Sequence, residues 1–118
     1  MKRILLFMVV LLGIFAFKPA SNSVHQFKVE GIDGSQIELS SFKGKKILIV
    51  NTASKCGFTK QYKELEELYK QHKDKLVIIG FPSNDFNQEK GTNAEIAEFC
   101  EKNYGVTFPL ASKVNVKG

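Results

Sequence analysis

A chain of 118 residues, 43% hydrophobic and 25% charged, has the length and composition of one globular domain, which excludes a wholly disordered protein. Two cysteines are too few for a disulfide-stapled mini-protein. Seventeen Lys+Arg against twelve Asp+Glu give a formal +5, a balance that points toward an acidic partner, and there is no Trp.

The N-terminal segment changes how that charge reads. Lys2 and Arg3 precede an apolar run of 14 residues, 4–17, and Lys18, Pro19, Ala20, Ser21, Asn22 and Ser23 follow. A basic start, an apolar stretch and a small, polar end form the pattern of a secretory signal peptide, and a cut after Ser23 puts Ser21 and Ser23 at the small-residue positions. The run is shorter than the ~20 residues a membrane span needs. An uncleaved anchor holding the domain at a membrane face is the second reading, and a buried core helix fits the flanking basic pair poorly. No cysteine follows the run, so lipid modification is not supported. Residues 1–23 carry Lys2, Arg3 and Lys18 and no acid, leaving 14 basic against 12 acidic residues, a net +2. The basic character therefore belongs largely to the targeting segment. No basic stripe with interleaved aromatics is present, so nucleic-acid binding is not suggested, and Lys43, Lys45 and Lys46 read as a solvated turn.

Residues 24–118 read as alternating strands and helices. Residues 27–30 (FKVE) and 36–39 (QIEL) form a hairpin about the turn Gly31-Ile32-Asp33-Gly34. Ser40 through Gly44 is a loop or a single helical turn. Residues 46–51 (KILIVN) form a β-branched apolar run, expected as a buried strand. After a loop over 54–58, Thr59 caps a helix to about Lys73, with Tyr62, Leu65, Leu68 and Tyr69 on one face. Residues 76–81 (LVIIGF) are a second buried strand, and 82–91 a polar loop. Thr92 or Asn93 caps a second helix to about Asn103, with Ile96, Ala97 and Cys100 inward. Phe108-Pro109-Leu110 and an extended piece over 113–116 complete the chain. The order β-β-β-α-β-α, with two continuous apolar strands on either side of a helix, predicts an α/β domain with a parallel central pair.

The chemistry centres on the thiols. Cys56 follows a buried strand and precedes a helix, where unpaired N–H groups and partial positive charge stabilise a thiolate, with Lys55 and Lys60 adding charge. A buried, inert Cys is the plain alternative. Cys100 lies 44 positions on. Without a C-x-x-C there is neither a dithiol oxidoreductase motif nor a zinc knuckle. In an exported protein the two Cys can also form a structural disulfide. His25 and His72 lack ligand-like spacing and read as surface residues, so no metal site is expected. The polar loop from Pro82 to Glu89 leaves a buried strand at the end of an α/β sheet where ligands bind; a simple polar turn is the alternative.

Three motifs in order carry a resemblance. Asn51-Thr52-Ala53-Ser54-Lys55-Cys56-Gly57-Phe58-Thr59 looks like the active-site signature of the glutathione peroxidase family. Residues 76–86 (LVIIGFPSNDF) look like its second signature. Ala97-Glu98-Phe99-Cys100 through Tyr104-Gly105-Val106-Thr107-Phe108-Pro109 is similar to the resolving-cysteine segment of the Cys-based, thioredoxin-dependent members. The resemblance covers residues 25–118 and implies an α/β, thioredoxin-like fold. It implies a peroxidatic Cys56, a Gln88 that donates hydrogen bonds to thiolate and peroxide if the loop is one residue shorter than usual, and a resolving Cys100. Ser83 stands where many relatives have a further Cys, and Asp85 where Gln or Asp is common.

The implied activity is thiol peroxidase, in the response to oxidative stress, on hydrogen peroxide or organic hydroperoxides. No cofactor or metal is needed, and the reductant is a thioredoxin-like protein or glutathione. Cys56 and Cys100 sit on different helix-associated segments, and a disulfide needs Cα atoms within roughly 7 Å, so the second helix is expected to unravel locally during turnover. The implied location is periplasmic or secreted, with membrane attachment only through an uncleaved N-terminal segment. Family members continue with further strands, a C-terminal helix and a Trp-Asn-Phe motif. Against that pattern the domain reads as incomplete at its C-terminus, with the last extended piece left as an unprotected edge. The competing reading is a truncated, non-catalytic thioredoxin-like redox module.

Overall fold

A computed structural model describes residues 23–55, 58–89 and 91–117. The expected leader, up to residue 22, and Cys56 lie outside the described residues. The chain order is β1 (Lys28–Glu30), β2 (Gln36–Glu38), β3 (Lys46–Thr52), α1 (Gln61–Gln71), β4 (Leu76–Pro82) and α2 (Asn93–Tyr104), with 3-10 turns over Val24–Gln26 and Leu39–Phe42. This is the order expected from the pattern of apolar residues. Among the described residues, no helix is long and apolar enough to cross a membrane.

β1 and β2 pair antiparallel, with Val29 opposite Ile37. The connecting turn is closed by the Gly34 amide donating to Gly31 O at 2.9 Å, and Gly34 has a φ of 84° that a side chain would strain. β3 and β4 pair parallel in a register that sets Ile47 beside Val77 and Thr52 beside Pro82. Residues 109–112 lie between β4 and the hairpin. Gly80 N–H donates to Pro109 O at 2.9 Å and Ala111 N–H to Gly80 O at 2.8 Å, while Ile32 N–H reaches Leu110 O and Ser112 N–H reaches Glu30 O.

The chain is hydrogen-bonded on both sides at 110–112. In the extended piece over 113–116, expected as an unprotected edge, Val114 N–H donates to Pro82 O at 2.9 Å. β3 pairs with β4 alone among the described residues, which leaves its other side open. Its KILIVN run, expected to be buried, leaves Leu48 37% and Ile49 54% exposed. Apolar composition marks a strand that wants covering, while actual burial requires a neighbour on each face.

The core joins Val77, Ile78 and Ile79 of β4 to Tyr62 and Tyr69 of α1, Ile96 and Cys100 of α2, and Phe108. Burying an Ile of this kind contributes about 1.5–3 kcal/mol. Tyr69 meets Phe108 edge-on at 6.2 Å between ring centres, an arrangement favoured by the ring quadrupoles.

At Gly80 two neighbouring segments approach closely. A Cβ there would fall 2.7 Å from Leu110 Cδ2 and 3.4 Å from Thr52 Cγ2. Gly80→Val is expected to destabilise the fold by about 1–3 kcal/mol through overpacking. Because the closest atom is the tip of a leucine, Leu110→Ala in the same chain should recover part of the loss. Urea titration of both variants checks this, and an unchanged midpoint for Gly80→Val would contradict it.

α1 begins later and ends earlier than expected. The Thr59 hydroxyl donates to Ala53 O at 3.1 Å instead of capping the helix, and Lys60 stands at the cap position without a side-chain bond. At the other end, His72 leaves helical geometry and its carbonyl accepts from the Lys75 and Leu76 amides, each at 2.8 Å, turning the chain into β4. Leu68, expected inward, is exposed, and Glu66 takes the inward place. Tyr62, Glu66 and Tyr69 follow at i, i+4 and i+7, so position 66 lies on the buried stripe whatever its chemistry. Its carboxylate is satisfied there by the Thr107 amide at 2.9 Å and by the Thr107 hydroxyl.

α2 keeps its expected start. Thr92 Oγ1 accepts from Glu95 N–H at 3.3 Å while the Glu95 carboxylate accepts from Thr92 N–H at 3.0 Å, a reciprocal cap. Gly105, with a φ of 59°, ends the helix one residue beyond expectation.

Candidate active site

The parallel register of β3 and β4 brings their C-terminal ends together, so the loops after Thr52 and after Pro82 emerge side by side. In an open α/β sheet this is where ligands bind. The loops are joined to one another. Ser83 N–H donates to Thr52 O at 3.2 Å and Lys55 N–H to Gln88 O at 2.9 Å. The Ser54 hydroxyl donates to Glu89 Oε2 at 2.9 Å. Cys56 itself lies outside the described residues, but the residue before it is bonded to the backbone of Gln88.

The second loop is held in shape from within. Asn87 N–H donates to Asn84 O at 2.9 Å, and Glu89 N–H donates to the Asn84 side-chain oxygen at 3.2 Å. Asn87 takes a left-handed φ of 58°, which Asn tolerates better than most residues. Asp85 points the other way. Its carboxylate accepts from the backbone amides of Lys117, at 2.7 Å, and Val116, and these two bonds hold its pKa below the ordinary value. Lys117 in turn lies over the Phe86 ring at 4.7 Å.

Between the two loops and α1 is a cleft of about 140 Å³, lined in part by Asn51, Phe58, Tyr62, Phe86 and Gln88. Phe58 and Phe86 are well exposed at its mouth. The side-chain amide of Gln is an uncharged donor that can face a developing anion.

Cys56, expected at a helix N-terminus, lies outside the described residues. The helix itself starts at Gln61, and the amides of Gln61, Tyr62 and Lys63 donate to the Phe58, Thr59 and Lys60 carbonyls.

Cys100 is not in the cleft. It faces the core from α2 as a free thiol, 1% exposed. Burial pushes its pKa up, the Tyr62 hydroxyl opposes this, and the negative charge of Glu89 adds to the rise. Burial likewise pushes the Tyr62 phenol far above its ordinary value. The structure thus brings Gln88 to the Cys56 arm and keeps Cys100 packed away.

Glu89 was read from sequence only as one polar residue of a loop, yet it is 1% exposed. Burial raises its pKa, opposed by hydrogen bonds from the Ser54 hydroxyl and amide and by the charges of Lys113 and Lys55. No local pattern distinguishes it from its polar neighbours. His25, expected on the surface, is half-buried with Nδ1 2.8 Å from Ser23 Oγ.

A family profile described as glutathione peroxidase matches residues 24–118. The chain belongs to the glutathione peroxidase family. A glutathione peroxidase-like peroxiredoxin of Schizosaccharomyces pombe is 60% identical over 88 residues, covering 73% of this chain and 56% of the relative. A hydroperoxy fatty acid reductase of Synechocystis is 50% identical over 101 residues, covering 84% of this chain and 60% of the relative. The chain therefore spans somewhat more than half the length of the curated relatives it matches. The crystal structure of Trgpx in its apo form superposes with a TM-score of 0.58 at 41% identity, over 84% of this chain and 58% of that one. A secreted disulfide oxidoreductase of Mycobacterium tuberculosis gives 0.58 at 15% identity, over 73% and 59%, a likeness of fold alone. The fold is α/β and thioredoxin-like, as the sequence motifs implied.

Proposed function

We propose that this chain acts as a thiol peroxidase that reduces hydrogen peroxide or organic hydroperoxides through Cys56 and Cys100. The observation that carries the reading is the bonding of Lys55, which precedes Cys56, to the backbone of Gln88 at the shared end of two parallel strands. Family membership and the Synechocystis hydroperoxide reductase support the same chemistry.

In this mechanism the Cys56 thiolate attacks the outer peroxide oxygen, the O–O bond breaks, and the leaving oxygen takes a proton to depart as water or an alcohol. Cys56 becomes a sulfenic acid. The Gln88 amide donates hydrogen bonds to the thiolate and to the leaving oxygen. The Cys100 thiolate then attacks the Cys56 sulfur, hydroxide leaves and is protonated to water, and a Cys56–Cys100 disulfide forms. A thioredoxin-like dithiol protein, or glutathione, reduces it.

Cys100 starts buried on a capped helix, so this second step requires the C-terminal turns of α2 to open first. The raised thiol pKa keeps Cys100 protonated and quiet until then. Residues 1–23 fit a leader that exports the domain to the periplasm or the outside, or anchors it at a membrane face, leaving residues 24–118 as the working domain.

Mass spectrometry after one equivalent of peroxide is expected to find a Cys56–Cys100 bond. Persistent Cys56 sulfenic acid beside a free Cys100 would remove Cys100 from the mechanism.

A further inference from the structure

Glu89 is almost fully buried and the reaction as described makes no use of it. A buried carboxylate is costly, and an apolar or amide side chain of similar size would serve stability as well. What distinguishes Glu89 is where its bonds go. It follows Gln88 directly, and its carboxylate accepts from the hydroxyl of Ser54, two residues before Cys56, at 2.9 Å. Its own amide is held by Asn84. Beside it lies a cavity of about 250 Å³ that Ser54, Lys55 and Glu89 share with Glu95, Ile96 and Phe99 of α2.

On the main chain the two arms are tied by Ser83 N–H to Thr52 O and by Lys55 N–H to Gln88 O. The Ser54–Glu89 bond adds a side-chain tie two residues before Cys56. We propose that Glu89 is a positioning residue for the peroxidase reaction: by holding Ser54 it orients the Cys56 loop against Gln88. The inference rests on the thiol-peroxidase reading.

The groups around the carboxylate come from every packed element. Lys55 of the first loop and Lys113 of the C-terminal segment favour its charged form. Its charge also acts on Tyr62 of α1 and Cys100 of α2, and Glu95 lines the same cavity. Burial outweighs the two lysines, so Glu89 protonates at a higher pH than an ordinary carboxylate.

The test uses the full chain with Ser54→Ala, Glu89→Ala, the double variant and Glu89→Gln. The rate of Cys56 sulfenic acid formation with hydrogen peroxide, trapped by dimedone, is divided by the rate of Cys56 alkylation by iodoacetamide, which reports thiolate content. Loss of orientation should lower this ratio about tenfold in each alanine variant, and the double variant should be no lower than the singles. Glu89→Gln, whose amide oxygen still accepts from Ser54, should restore most of the ratio. An unchanged ratio in Ser54→Ala, a small side chain whose loss leaves the fold intact, or additive losses in the double variant would overturn the inference. If the unmutated chain forms no sulfenic acid at Cys56, the peroxidase reading itself falls and takes the inference with it.

Discussion

Cys56→Ser should stop peroxide consumption in a thioredoxin-coupled assay, a fall of at least about a thousandfold by comparison with removal of other enzyme nucleophiles. The reason is acidity. A thiol near neutral pH is within reach of ionisation, whereas a serine hydroxyl stays protonated and cannot attack the O–O bond. Cys100→Ser should behave differently. The first oxidation should proceed at its normal rate, since Cys100 is buried in the core and lines no part of the cleft. Turnover with a dithiol protein should then cease, because no disulfide forms for it to reduce. Stopped-flow oxidation and steady-state turnover, measured on both variants, separate the steps. Peroxide consumption that survives Cys56→Ser would place the chemistry elsewhere. An unmutated chain that oxidises once and never turns over would favour the non-catalytic redox module.

Ile78→Ala is expected to cost about 3–4 kcal/mol, in the usual range for truncating a fully buried Ile to Ala. Ile78 has no exposed surface and sits mid-strand in β4, the strand to which α1, β3 and residues 109–111 all attach. A domain of this size is stable by only about 5–15 kcal/mol, so one such loss should lower the thermal midpoint by roughly 4–8 °C for each kcal/mol. Ile49→Ala on β3 is the control, expected to fall within about 0.5 kcal/mol because its side chain is half-exposed. Calorimetry on both variants checks the contrast, and equal losses would mean that the two apolar runs are buried alike.

The contrast between those strands also measures how much was legible in the sequence. KILIVN and LVIIGF are alike in composition, and both were recognised as parallel strands from β-branched content and spacing. Only one is buried, because burial depends on which neighbours cover each face, and no local pattern carries that. The α1 stripe makes the same point. Periodicity located Tyr62 and Tyr69 correctly, but hydropathy chose Leu68 over Glu66. Helix geometry places residue 66 inward, and the Thr107 amide and hydroxyl, 41 positions away, make its carboxylate tolerable there. The start of α2 was legible to within one residue, Thr92 or Asn93, because its cap is a local reciprocal bond, made between Thr92 and Glu95.

The cysteines, the loop carrying Gln88 and the two signatures around them were determined by the sequence alone, because nucleophile chemistry and loop motifs are written in consecutive residues. The opening charge balance was also settled there, since three of the basic residues belong to the N-terminal segment. The tertiary structure decided what those residues face. It set Gln88 against the arm that carries Cys56, packed Cys100 into the core, and buried Glu89 between them, because each placement depends on bonds between segments far apart in the chain.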